Sequence, residues 1–242
     1  MKKRTKIILT TVAVFFVILV AACGIYIGDY YHALPEAAAV AVSDDIAVTS
    51  CDNGDMVFSP TSPVAGLIFY PGGKVEHTAY VPLMVACAER DILCVLTEMP
   101  CRLAVLDINA AEGIAEQYPE VEAWYIGGHS LGGSMAASYL ERHSADFVGL
   151  ILLASYATAD LSDADLEVLS VYGSEDGVLD LGKYEESKGN LPAALTELVI
   201  DGGNHAGFGI YGPQDGDGAA MLSCEEQIAL TADAIAEMID HR

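Results

Sequence analysis

The sequence predicts an α/β domain built on a mainly parallel sheet with helices on both faces, preceded by one transmembrane helix. From residue 65 onward, short and almost wholly apolar runs alternate with helical patterns. Strands apolar on both faces and separated by helices belong to parallel sheets covered on both sides. Apolar residues make up 52% of the 242 and charged residues 19%, which fits a packed core and excludes a disordered chain. Ahead of the alternating region, Ile7 to Gly28 holds no charged side chain.

As a helix at 1.5 Å per residue, that uncharged run reaches about 33 Å, enough to cross a bilayer. Lys2, Lys3, Arg4 and Lys6 precede it, and the first acid is Asp29. Cations on the N-terminal side only place that end in the cytoplasm and send the rest across the membrane. The expected organisation is a basic tip and anchor over 1–28, a stalk over 29–45 and the α/β domain over 46–242. An uncleaved anchor is favoured, because the run exceeds the ~7–15 residues of a signal-peptide core. Val20-Ala21-Ala22-Cys23 resembles a bacterial lipoprotein box, with lipidation at Cys23, although Ile25, Tyr26 and Ile27 continue the apolar run past it. Plain cleavage is the third reading. All three put the domain outside the cytoplasm, at the cell membrane or secreted from it.

The net charge is −24, and residues 28–242 carry seven basic against 35 acidic side chains. Such a surface repels phosphates and excludes nucleic-acid binding through a basic face. Beyond Cys23 an odd number of cysteines remains, so Cys51, Cys87, Cys94, Cys101 and Cys224 cannot all pair within the chain. Cys87 and Cys94 fall in apolar periodic stretches and read as buried thiols. One bridge among Cys51, Cys101 and Cys224 suits an oxidising compartment. No C-x-x-C zinc spacing occurs.

Residues 46–58 read as two short strands around Asp52-Asn53-Gly54, a hairpin signal. Strands then follow at 65–70, 92–96, 123–126, 148–153, 166–172 and 197–200. Helices are expected near 77–90, 104–117, 132–143, 183–189 and 223–241. No linker is long enough for a second domain.

The strongest chemical signal is Gly128-His129-Ser130-Leu131-Gly132. Alone a G-x-S-x-G is weak, but here an apolar strand precedes it and a helix rich in small residues follows. A serine at a sharp strand-to-helix turn is held in a strained backbone with its hydroxyl exposed above the sheet. Such a serine needs a base. Of six histidines, only His205 sits in a flexible loop just after an apolar strand, in Gly202-Gly203-Asn204-His205-Ala206-Gly207. The base in turn needs an orienting carboxylate. Asp176 follows the strand at 166–172 and gives the chain order Ser, Asp, His; Glu175 and Asp180 are rivals. The oxyanion donors expected are the N–H of Leu131 and one from Pro71-Gly72-Gly73-Lys74, with Gly73 preferred over Lys74. Lys74 and Glu76 are candidate substrate contacts, or a surface pair. Asp215-Gly216-Asp217-Gly218 defines too few ligands for a Ca²⁺ site, and phosphate-binding loops are absent. No metal and no cofactor is expected.

Together these residues resemble the α/β-hydrolase superfamily, in its compact lidless branch, alpha/beta hydrolase family 5, related to dienelactone hydrolases. The matching strings are FYPGGKVE at 69–76, GGHSLGG at 127–133, YGSEDGV at 172–178 and GGNHAGFG at 202–209. The resemblance implies an α/β-hydrolase fold of about seven or eight strands and a Ser130–His205–Asp176 triad. It also implies ester or related acyl hydrolysis without a cofactor, on a small-molecule substrate. Dienelactone hydrolases use a cysteine nucleophile where this chain has Ser130, so their substrate is not carried over. Only Ala154 to Asp165 fills the place where a lid is commonly inserted, which predicts an open site. Two other readings share these residues: acyl transfer to an alcohol or polymer, and a non-catalytic binding module on a hydrolase scaffold.

Overall fold

The computed structural model describes residues 2–241, and for residues 2–5 and 7 the backbone only. The side chains of the basic tip at Lys2, Lys3 and Arg4 thus lie outside the described residues. The chain forms two units, Met1–Tyr30 and Tyr31–Arg242. The first is helix α1 (Lys2–Gly28), whose stretch Ile8–Gly28 has a mean hydropathy of 2.8 and is long and apolar enough to cross a membrane. A signal sequence near the N-terminus meets the same criterion of length and composition.

The second unit is an eight-stranded sheet in the order β1-β2-β4-β3-β5-β6-β7-β8. β1 (Ile46–Ser50) and β2 (Met56–Pro60) form the expected hairpin, and β2 runs antiparallel to β4 (Ile92–Leu96). Gly54 takes φ 92 in the turn, a conformation costly for other residues. All remaining pairs are parallel: β3 (Ala65–Tyr70), β5 (Trp124–His129), β6 (Gly149–Leu153), β7 (Glu167–Gly173) and β8 (Leu195–Ile200).

Strands β3 to β6 are buried along their whole length because both faces are covered. Side chains alternate between those faces. Leu67 and Phe69 pack with α3 (Val81–Ala88) and α6 (Cys224–Asp240), whereas Ile68 and Tyr70 pack with α4 (Leu131–His143). Each such fully buried side chain contributes roughly 1.5–3 kcal/mol. α6 is started by a capping box: Ser223 Oγ accepts the Glu226 N–H and the Glu226 carboxylate accepts the Ser223 N–H.

Two expectations fail. Residues 104–117 are not one helix but short turns at Ala104–Leu106 and Ala115–Gln117. Tyr70 Oη donates to the Ile108 carbonyl and accepts the Ala111 N–H, each at 2.8 Å, which ties that segment to the sheet in another conformation. The supposed stalk at 29–45 also belongs to the domain from Tyr31 on. Tyr31 bridges to Val75, the short helix α2 (Pro35–Ala38) follows, and Ala37 is buried. All six cysteines are free, and Cys87 and Cys94 are buried as expected. Burial pushes the Cys94 thiol well up.

Candidate active site

β3 is the first strand of the parallel set, and the chain leaves it for β4 on one side before returning to β5 on the other. A crevice opens beyond the strand ends at such a switch point. The loop after β3 and the turn after β5 both meet there.

β5 passes into α4 through a single residue, Ser130, at φ 52 and ψ −121. A strained serine persists only where its surroundings fix it. Ser130 N–H donates to the Leu153 carbonyl at 2.9 Å, and the Ser155 hydroxyl donates to the Ser130 carbonyl at 2.6 Å. Neighbouring backbone leaves no room for side chains beside it. A Cβ at Gly128 would lie 2.5 Å from the Tyr70 oxygen, and one at Gly132 would press on the carbonyl oxygens of Tyr70 and Pro71.

β7 and β8 deliver the other two groups. Asp176 turns back on its own loop, and Oδ1 accepts the N–H groups of Val178 and Leu179, each at 2.8 Å. Its Oδ2 accepts from His205 Nδ1 at 2.9 Å, and both side chains are only 1% exposed. A carboxylate only accepts, so Nδ1 carries the proton and Nε2 is left with its lone pair. That Nε2 is buried and has no hydrogen-bond partner among the described residues.

A second buried histidine supports the first. The His129 and His205 rings lie 4.6 Å apart at 53°. Gly72 N–H donates to Tyr80 Oη at 3.1 Å, and the buried Tyr80 hydroxyl has no acceptor for its proton among the described residues other than His129 Nδ1 at 2.7 Å, so it donates there. Burial, and secondarily the neighbouring His205, holds the His129 imidazole well below its usual range. It stays neutral and adds no positive charge beside His205. Burial pushes the Tyr80 hydroxyl up, so it remains a donor.

The Gly72 relay leaves Gly73 as the free donor of the loop after β3. Lys74 N–H donates to the Arg102 carbonyl at 2.8 Å. Gly73 N–H has no partner among the described residues, and a Cβ there would lie 2.9 Å from Leu131 Cδ2. The N–H of Leu131, first in α4, is also without an acceptor among them.

A cavity of about 330 Å³ opens over this arrangement, lined by Ser130, Leu131, Ser134, Tyr156, Leu179 and His205 among others. Residues 66–229 match the alpha/beta hydrolase family, well over half of the chain. The chain belongs to that family. No curated protein matches it. Among solved structures of similar fold are a predicted CIB-like hydrolase from Thermoplasma acidophilum and Est1E from Butyrivibrio proteoclasticus. The first is 16% identical with a TM-score of 0.55, covering 79% of this chain and 99% of that one. The second is 14% identical with a TM-score of 0.58, covering 81% and 100%. A dienelactone hydrolase from Anabaena variabilis is 10% identical with a TM-score of 0.60, covering 81% and 98%. At these identities the likeness concerns the fold.

In this hydrolase Ser130, Leu131 and His205 line one cavity, Asp176 bonds to His205, and Gly73 lies against Leu131. Glu175 accepts from the Ser174 hydroxyl on the surface, whereas Asp180 lines the Ser130 cavity but caps α5 (Leu181–Ser187), its carboxylate accepting the Lys183 N–H rather than a His205 nitrogen. Lys74 and Glu76 do not line the Ser130 cavity. Lys74 sits at φ 59, and its carbonyl accepts the Tyr31 N–H at 2.8 Å. Glu76 Oε2 accepts the Ala33 N–H at 3.1 Å and Oε1 accepts the Thr78 hydroxyl at 3.2 Å. In Asp215-Gly216-Asp217-Gly218, the Asp217 carboxylate accepts backbone N–H groups. Sequence reasoning missed Tyr80, Ser155 and the role of His129. Only His129 carried a local signal, as the variable residue of the pentapeptide.

Proposed function

We propose that this hydrolase is a membrane-tethered extracytoplasmic serine enzyme that cleaves a carboxylic ester or related acyl bond of a small molecule. One observation carries the reading. His205 has Nδ1 committed to Asp176 and a buried, unpartnered Nε2, and its ring lines the same cavity as Ser130. That is the state of a general base before reaction.

His205 Nε2 takes the Ser130 proton as Oγ attacks the acyl carbonyl. The N–H groups of Leu131 and Gly73 hold the developing oxyanion, each worth roughly 2.7–4 kcal/mol. The imidazolium is stabilised by Asp176 and then protonates the leaving alcohol. Water, activated by the same nitrogen, attacks the acyl-enzyme and releases the acid and free Ser130. A cavity of about 330 Å³, near the small end of ligand sites, favours short acyl groups. The uncharged stretch Ile8–Gly28 of α1 supports the tether, and the cations on its N-terminal side support the sidedness.

The test is fluorophosphonate labelling of the full chain in detergent, with peptide mass spectrometry. An adduct on Ser130, lost in Ser130→Ala and His205→Ala, is expected. A folded protein that takes no adduct refutes the triad. The mass of the native protein separates a retained anchor from cleavage or lipidation at Cys23.

A further inference from the structure

We infer that Asp217 is a positioning residue for this reaction, a single carboxylate that sets the acid loop and the base loop at their working separation. The inference rests on the Ser130–His205–Asp176 reading. Asp217 lies on neither β7 nor β8 but in the loop before α6. Its Oδ1 accepts the N–H of Gly177 at 3.2 Å, of His205 at 3.1 Å and of Gly218 at 2.9 Å. Its Oδ2 accepts the N–H of Ala206 at 2.9 Å. Gly177 directly follows Asp176. One side chain therefore grips the residue after the acid and the backbone of the base itself.

The chemistry demands a carboxylate. Two ionised oxygens offer about four lone-pair sites, whereas an amide offers one accepting oxygen and turns an N–H₂ toward the remaining donors. The surrounding packing fixes the approach. A Cβ at Gly177 would lie 2.5 Å from the Gly216 oxygen, and one at Gly218 would press on the Glu175 carbonyl. Asn204 Nδ2 donates to the Gly218 carbonyl at 2.8 Å, and its Oδ1 accepts the Gly207 N–H at 2.9 Å. The loop is thus joined to the base arm from both sides. His205 must hold Nε2 within hydrogen-bond reach of Ser130, and a misplacement near 1 Å costs on the order of 100-fold in rate.

The experiment uses the full chain in detergent, with Asp217→Asn and Asp217→Ala. It reads fluorophosphonate labelling of Ser130, p-nitrophenyl acetate hydrolysis and the unfolding temperature. The expected result is kcat lowered about 10-fold in Asn and about 100-fold in Ala, with KM within about two-fold and folded protein retained. Should Ala not fold, the isosteric Asn carries the comparison. A labelled wild type beside folded variants of unchanged kcat overturns this role alone. Loss of folding in both variants also overturns it, since the carboxylate then supports the fold as a whole. A folded wild type that is not labelled overturns the triad reading and this role with it.

Discussion

Tyr80→Phe tests whether the loop after β3 is held from beneath by the buried relay. Tyr80 is fully buried, and its hydroxyl is both the acceptor for Gly72 N–H and the donor to His129 Nδ1. Phenylalanine fills the same space but leaves both partners unpaired. Each unpaired buried group costs about 1–3 kcal/mol. His129 has no rescue by changing tautomer, because its Nε2 already lacks a partner among the described residues. Removing the tyrosine's own buried hydroxyl offsets part of the loss, so about 2–4 kcal/mol remains. For a unit of this size that lowers Tm by about 4–16 °C. Gly73 moves with Gly72, so Ser130 labelling slows by about 10-fold, less than the loss of a whole oxyanion donor. Near-UV circular dichroism and labelling kinetics read the two effects. Tyr211→Phe is the control, since its ring packs beside Tyr80 at 6.4 Å but its hydroxyl donates to Gln214 Oε1 at 3.0 Å and takes no part in the relay. A Tyr80→Phe protein with Tm within about 1 °C of wild type and unchanged labelling would refute the relay.

Three more outcomes follow from the same geometry. The folded protein holds His129 well below its usual range through burial first and His205 second, while the unfolded chain takes a proton below about 6.5. The His129 contribution is therefore full above that pH and lost as pH falls, with a slope of up to about 1.4 kcal/mol per pH unit. Urea unfolding between pH 5 and 8 reads it, and His129→Gln flattens the curve. Gly132→Ala presses a methyl group onto the Tyr70 and Pro71 carbonyls. It costs about 1–3 kcal/mol and abolishes labelling; wild-type labelling would contradict the elbow packing. Glu76→Gln weakens the Ala33 and Thr78 contacts. It lowers stability by about 1 kcal/mol and leaves KM unchanged, whereas a large rise in KM would restore Glu76 as a substrate contact.

What the sequence disclosed was local. The pentapeptide around Ser130 is legible because the demand for glycine at 128 and 132 shows as a fixed spacing about one serine, even though the Tyr70 and Pro71 carbonyls that impose it are remote in sequence. The parallel strands are legible because burial on both faces leaves uninterrupted apolar runs such as Ala65–Tyr70 and Ile92–Leu96. Local patterning misled at 104–117, where a tyrosine more than 30 residues earlier pins the backbone with its hydroxyl. It misled again at 29–45. The segment read as a stalk or short helix leaving the membrane, but its main chain bonds to Lys74, Glu76 and Ile210. No composition or period announces a main-chain bond to a remote loop.

The same distinction orders the site. The residues proposed for chemistry sit in the turns and loops that follow strands β3, β5, β7 and β8, where the alternation of elements points to them. The residues that hold them in place come from other segments, 8 to 49 residues away: Tyr80 for Gly72 and His129, Ser155 for Ser130, Asp217 for His205 and Gly177. Each acts on the backbone or the ring of its target through one or two hydrogen bonds, and no spacing rule connects the two. A loop near a flexible glycine run has many conformations, and a base within reach of a serine is only one of them. The remote contacts remove the others, so substitutions at Tyr80 or Asp217 should cost rate with every proposed catalytic side chain still present.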